Sequence, residues 1–152
     1  RSRRYLIKII MNDNLNRIRT FNFPIKVYYE DTDAEGVVYY ANYLKFIERA
    51  RTEMINVCDT SLKILHKDYD SRFIVKICNL DFIKSAHLED VLEVKTSLKK
   101  ISNASFALDQ NIFHNELLIL KAEVVIVCIN RDYKPSKIPD FLKRKIQLLI
   151  GQ

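Results

Sequence analysis

The sequence predicts an α+β fold with a mostly antiparallel sheet, and three observations carry that expectation. One helical periodicity appears early in the chain. Four stretches of period-two alternation follow it one after another, with no long helix between them. The 152 residues carry no repeat and no low-complexity segment. A run of strands after a helix points away from the alternating order of a parallel sheet, and the length fits one domain. That domain is expected over 21–152, behind an N-terminal arm at 1–20.

The elements follow in chain order. FPIKVYYE (23–30) alternates Phe23, Ile25, Val27 and Tyr29 against Pro24, Lys26, Tyr28 and Glu30, the pattern of a strand. From about Tyr40 to Cys58 the apolar positions Leu44, Ile47, Met54, Ile55 and Cys58 recur at helical spacing. Phe46, Ala50 and Val57 widen that stripe, so the helix is expected to be wrapped by other elements. Asp59-Thr60-Ser61 offers an N-cap to a short helix at 62–68. Strands are expected at 72–83, 89–100, 104–114 and 117–130, with turns at Asn103 and at Asn115-Glu116. KPSKIP (134–139) is a prolyl turn, and FLKRKIQLLI (141–150) is amphipathic and helical. The long helix can bury its broad apolar surface inside the curve of this five-stranded sheet. Such a sheet keeps an edge and an open face, which predicts dimerisation.

Composition narrows the function classes. Hydrophobic residues make up 48% of the chain, which suits a packed core. The longest apolar run, AEVVIVCI (122–129), is far shorter than the ~20 residues of a membrane span. The opening RSRRYLIKII is interrupted by Lys8 and has no small-residue cleavage site, unlike a signal peptide. Met11 is a plausible start, with 1–10 as an upstream extension. Those ten residues hold four basic side chains and no acid, so without them the net charge falls from +6 to +2. The charge is therefore weak evidence for nucleic acid, and the aromatic residues do not interleave with the basic ones as a nucleic-acid binder would require. A modest positive field also suits a phosphate-bearing substrate. Cys58, Cys78 and Cys128 lack CxxC or His–Cys spacing, which argues against zinc. Free thiols fit a reducing, cytoplasmic setting; Cys128 is expected in the core.

The stretch that asks for an explanation is YYEDTDAEGVVYYANYLKFIERARTE (28–53). Acids and a glycine stand directly before a helix. The first N–H groups of a helix are unpaired, lie at the positive end of its dipole and can hold an oxyanion. Gly36 admits a left-handed turn or the close approach of a ligand to the backbone. An acid held just upstream could act on a carbonyl carbon whose oxygen rests on those amides, by activating water or as a nucleophile. The bland alternative is that these acids cap the helix or sit in a solvated turn.

VYYEDTDAEGVVYYANYLKFIERARTEM (27–54) closely resembles the signature of hotdog-fold acyl-CoA thioesterases. It is most similar to the Tol-Pal-associated branch of the 4-hydroxybenzoyl-CoA thioesterase superfamily. FIVKICNLDFIKSAHLEDVLEVKTSL (73–98) and LLILKAEVVIVCINRDYKPSKIP (117–139) continue the likeness, more weakly. The resemblance implies a long helix wrapped by a curved antiparallel sheet, homodimers or homotetramers, and sites shared between two chains. It implies hydrolysis of acyl-CoA, with Asp33 as catalytic carboxylate and the Tyr40 backbone amide polarising the carbonyl. Gly36, Val37, Val38 and Tyr39 would line the substrate, and Asp31 would be structural or capping. No cofactor or metal is implied, since coenzyme A is part of the substrate; an acyl-carrier-protein ester is a second substrate class. Tyr40 departs from the histidine common in the Tol-Pal branch. The backbone role survives that change and an imidazole role does not. Glu35 stands where a small residue is usual and is expected to face solvent, its alternatives being repulsion of Asp33 or of an anionic substrate.

Other residues are read plainly. His66 is expected to be exposed and His114 solvent-facing. His87 is a candidate contact for a coenzyme phosphate, as are Lys76, Lys84, Lys99 and Lys100. Glu48, Arg49 and Arg51 are expected to form a salt-bridged helix face, with Arg51 ordering the subunit interface. A hydratase of this fold would need a histidine near the 31–36 acids, and none is there. A non-enzymatic acyl-CoA or carrier-protein binding module is the remaining rival.

Overall fold

The computed structural model describes residues 7–10 and 18–151. The proposed start at Met11 lies outside the described residues. The elements are β1 (Ile7–Ile10), β2 (Ile18–Lys26), a 3-10 turn (Tyr29–Asp31), α1 (Asn42–Asn56), α2 (Leu62–Tyr69), β3 (Arg72–Phe82), β4 (Val91–Ile101), β5 (Ser105–His114), β6 (Leu117–Ile129) and α3 (Asp140–Ile150). The strands form one open sheet in the order β1-β2-β4-β5-β6-β3, with every pairing antiparallel.

The five expected strands are present, and β1 adds a short sixth by pairing Ile7–Ile10 with Ile18–Phe21. β2 starts earlier than its alternation suggested and stops at Lys26, because Tyr28 to Asp31 close a 3-10 turn instead. Among the described residues β1 pairs β2 only as far as Phe21, and no β1 partner is described opposite Pro24, where a strand tolerates proline at an edge. β5 and β6 join through Asn115 and Glu116 at φ +48° and +65°. Two successive positive φ values give the tight hairpin turn that matches strand twist.

α1 lies against one face of the sheet and buries Tyr43, Phe46, Ile47, Ala50, Met54 and Ile55. Leu44 and Val57, expected in this stripe, are exposed: Leu44 lies about 100° aside from the line of Tyr43, Ile47, Ala50 and Met54, and Val57 stands past the last helical residue, Asn56. The facing strand positions alternate as required: Leu92, Val94, Thr96 and Leu98 on β4, and Phe106, Leu108, Gln110 and Ile112 on β5. Ser61 caps α2 by accepting the Ile64 N–H at 3.1 Å. Cys128 is fully buried, as its apolar run implied.

Two polar residues lie in this core without cost because they satisfy one another. Gln110 donates to the Ile47 carbonyl at 3.0 Å and to Thr96 Oγ1 at 3.1 Å, and its Oε1 accepts Arg51 Nη1 at 2.9 Å. Arg51 is therefore tied to the sheet. Among the described residues no ion pair joins it to Glu48 or Arg49, so the expected salt-bridged face does not form. Burial lowers the Arg51 pKa, with the charges of Glu48 and Cys78 opposing.

Candidate active site

The segment between β2 and α1 folds back on itself. Tyr28 N–H donates to Asp31 Oδ2 at 2.9 Å, and Asp31 N–H returns to the Tyr28 carbonyl at 3.0 Å. Asp31 is 4% exposed. Its own carbonyl accepts both the Tyr39 N–H at 3.0 Å and Asn42 Nδ2 at 2.9 Å. Asp31 thus serves the backbone on both its oxygens' sides, the structural part expected of it.

Beyond Asp31 the pairing continues. Thr32 bridges Val38, and Asp33 N–H donates to the Val37 carbonyl at 2.9 Å. The result is a short hairpin with its tip at 34–36, and with Asp33 and Tyr40 on opposite arms. Gly36 N–H closes the tip on the Asp33 carbonyl at 3.0 Å. Gly36 has φ +76°, and no atom lies within 4 Å of where a Cβ would stand. The left-handed backbone explains the glycine, and the space beside it is open. Asp33 and Glu35 are exposed; Asp33 Oδ1 accepts the Glu35 N–H at 2.9 Å, which orients the carboxylate and leaves Oδ2 outside that turn.

The second arm leads into α1. Val38 N–H donates to the Ala86 carbonyl at 2.8 Å, Val37 bridges His87, and Leu88 N–H reaches the Gly36 carbonyl at 3.3 Å. Tyr39, Tyr40 and Ala41 form a turn, so α1 begins at Asn42, two residues later than its periodicity suggested. No side chain caps the helix, and its first turn has no acid. Among the described residues the Tyr40 N–H has no hydrogen-bond partner. The Tyr40 ring packs at 5.0 Å from Tyr39 and edge-on at 6.1 Å from Phe82, the last residue of β3. Hydrogen bonding with the Tyr40 phenol, followed by its charge and by burial, raises the pKa of Tyr39.

One continuous segment therefore carries the carboxylate, the open glycine and the unpartnered amide, with Val38 buried, Val37 half-buried and Tyr39 exposed along it. The arrangement can hold a carbonyl oxygen at the amide while a carboxylate works on the carbon. Of the histidines, His87 abuts this segment through its bridge to Val37. His66 is exposed. Asp90 lies between the other two, with Oδ2 3.8 Å from His87 Nδ1 and Oδ1 3.6 Å from His114 Nε2. His114 thus faces a carboxylate, against the expectation of a solvent-facing ring. Lys99 is engaged by Glu123 at 2.9 Å, whereas Lys76, Lys84 and Lys100 are exposed. No group of three His, Cys, Asp or Glu among the described residues could hold a metal ion. No helix among them is long and apolar enough to cross a membrane.

A cavity of about 240 Å³ lies farther along α1, lined by Arg51, Met54, Ile55, Phe73, Phe106 and Ile126 among others. Sequence reasoning assigned no role to Asn42, Tyr43 or Asp90. The first two lie within the resembling motif; Asn42 bonds Asp31 inside that motif, while the partner of Tyr43, Ala86, is 43 residues away.

Comparison with known proteins adds an independent line. The profile of a family described as the thioesterase-like superfamily matches residues 27–146. The acyl-CoA thioesterase YbgC of Haemophilus influenzae is 39% identical over 124 residues, which is 81% of this chain and 91% of that protein. The protein of the same name from Helicobacter pylori (strain ATCC 700392 / 26695) is 34% identical over 134 residues, 82% of this chain and 98% of that protein. Among solved structures, a probable thioesterase from Bartonella henselae superposes with a TM-score of 0.76 at 32% identity, covering 79% of this chain and 99% of that one. A 1,4-dihydroxy-2-naphthoyl-CoA thioesterase from Synechocystis gives 0.77 at 28% identity, over 84% and 95%.

Proposed function

This chain belongs to the thioesterase-like superfamily, and from that premise we propose that it hydrolyses acyl-CoA to a free acid and coenzyme A. The observation that carries the reading is the unpartnered Tyr40 amide at the uncapped start of α1, facing the arm that bears Asp33. The thioester oxygen accepts the Tyr40 N–H, which stabilises the negative charge that develops there. Asp33 then either takes a proton from the attacking water or attacks the carbon itself, giving a mixed anhydride that water cleaves. In both routes the carbon–sulfur bond breaks and the thiolate leaves as coenzyme A. Gly36 gives the substrate access to the backbone, and Val37, Val38 and Tyr39 line its approach. No cofactor takes part, and the setting proposed is the cytoplasm, with a Tol-Pal association as the branch resemblance suggests.

The working unit is a homodimer, which a homotetramer would build upon. Among the described residues β3 ends the sheet with one edge unpaired, and Ile74, Val75, Ile77 and Phe82 on it are exposed. A second copy paired there would cover them. Phe82 touches the Tyr40 ring, so that partner would stand beside the site. The acyl chain runs along this interface toward the cavity flanked by Phe73 and Val75.

The test is thiol release from short, long and aromatic acyl-CoAs and from acyl-carrier-protein esters, with wild type and Asp33→Asn in parallel. Wild type should turn over, and the variant should lose about 10²-fold or more in kcat. Equal rates would reduce Asp33 to a turn residue and sink the mechanism. Binding without turnover in both would favour a non-enzymatic acyl-CoA module.

A further inference from the structure

We infer that Tyr43 is a positioning residue for this site: its phenol oxygen accepts the Ala86 N–H, holds the 83–90 loop against α1, and so sets the Asp33 turn relative to the Tyr40 amide. The inference rests on the function proposed above.

The loop's donors show how it is held. Ile83 and Lys84 N–H groups go to the Ile119 carbonyl at 3.0 and 3.1 Å, and His87 N–H goes to Asp90 Oδ2 at 2.8 Å. Leu88 reaches Gly36 at 3.3 Å, Glu89 reaches Val27 at 3.0 Å and Asp90 reaches His87 at 3.1 Å. Among these, Ala86 alone donates to α1, at 3.0 Å from Tyr43 Oη. Ala86 is 0% exposed and Tyr43 3%, so water has no access to replace the bond.

The far side of Ala86 faces the site. Its carbonyl accepts Val38 N–H at 2.8 Å, and the next residue back, Val37, accepts Asp33 N–H at 2.9 Å. A chain of three hydrogen bonds thus runs from the first turn of α1 through the loop to Asp33. Tyr43 itself stands three residues after Tyr40. Its ring is wedged at 5.9 Å from Phe46 and 5.9 Å from Phe82, so the hydroxyl is aimed by packing. Burial raises the phenol's pKa above the usual 10.0, the Ala86 N–H opposes this and the Asp90 charge adds to it. The brace therefore stays in one protonation state near neutral pH.

Tyr43→Phe tests this, since it keeps the ring and removes the acceptor. With an acyl-CoA that wild type hydrolyses, kcat should fall roughly 10- to 100-fold, the cost of a small misplacement of reacting groups. KM should stay within about twofold, because ground-state binding uses other surfaces. Hydrogen exchange at Ala86 and Val38 should quicken ~10-fold or more while α3 amides are unchanged. A kcat within about twofold of wild type, or unaltered Val38 exchange, would overturn the inference. Asp33→Asn, run alongside, separates the cases. If it is inactive while Tyr43→Phe is unimpaired, the inference alone fails. If it is fully active, the hydrolytic reading fails and takes the inference with it. Should Tyr43→Phe not fold, wild type decides: slow, matched exchange at Ala86 and Val38 supports the brace, and exchange as fast as the exposed loop residues refutes it.

Discussion

The hairpin at 31–42 and the edge strand β3 are both rich in exposed side chains, yet they are finished to different degrees. In the hairpin the backbone is closed within the chain: Asp31, Asp33, Gly36, Val38 and Tyr39 all donate to carbonyls of 28 to 37 or of Ala86. Among the described residues the Tyr40 N–H, like the Ala41 N–H beside it, has no acceptor. Among the described residues β3 is paired to β6 along one side only, and its other edge is open over a strand carrying Ile74, Val75 and Ile77 half in solvent. Free amides at Tyr40 and Ala41, just before an uncapped helix, read as a place for a ligand atom. A whole free edge lined with aliphatic side chains reads as a place for another strand.

Breaking the edge should have the largest effect. Ile77→Asp puts a charge on the exposed β3 edge, where association would bury it. The variant should elute as a monomer in light-scattering chromatography and lose roughly 100-fold in thioesterase rate, because a shared site loses its second half. A dimer with an ordinary rate would refute β3 as the interface. Breaking the hairpin at its tip should cost less. Gly36→Ala meets no atom, so its penalty is the φ of +76° alone, about 1–2 kcal/mol. The melting temperature should drop by roughly 2–6 °C, with a rate loss of about 10-fold from a shifted Asp33. A rate loss without any change in melting would instead assign Gly36 to substrate contact.

The smallest effect on the rate comes from the interior behind both regions. Burial pushes the Cys58 thiol up to about 11, with the Lys145 charge opposing and Asp59 adding. A folded value above the unfolded 9.0 means the thiol's contribution is complete below pH 9 and is lost as pH rises through 11. Thermal melts from pH 8 to 11 should fall by roughly 3–6 °C through this group. Cys58→Ala should flatten that slope; an unchanged slope would mean the thiol is not the titrating group.

Much of this was legible because it is local. Period two marked β3 to β6, period 3.6 marked α1 and α3, and Asp59-Thr60-Ser61 announced the Ser61 cap. Asp33, Gly36 and Tyr40 were singled out together through a family resemblance that one continuous segment carries. The strand β1 was not foreseen, and two further kinds of difference stand out. Boundaries moved where hydrogen bonding overrode pattern, as at Lys26, where Asp31 captures Tyr28 and ends the strand, and at Tyr40, which the Asp31–Tyr39 bond keeps in a turn. Partners were misassigned where two distant segments meet.

The sequence by itself determined the element order, the helix that needed wrapping and the acid–glycine–helix segment, since these depend on residues within a turn or two of one another. Tertiary structure alone decided that Arg51 bonds Gln110 and not its helical neighbours, that Asp90 sits between His87 and His114, that Leu44 faces out, and that Tyr43 braces Ala86. The physical reason is that periodicity states which face of an element is buried, while a side-chain hydrogen bond depends on what the fold brings opposite that face, across sequence separations of 43 and 59 residues in the two bonds that matter most here.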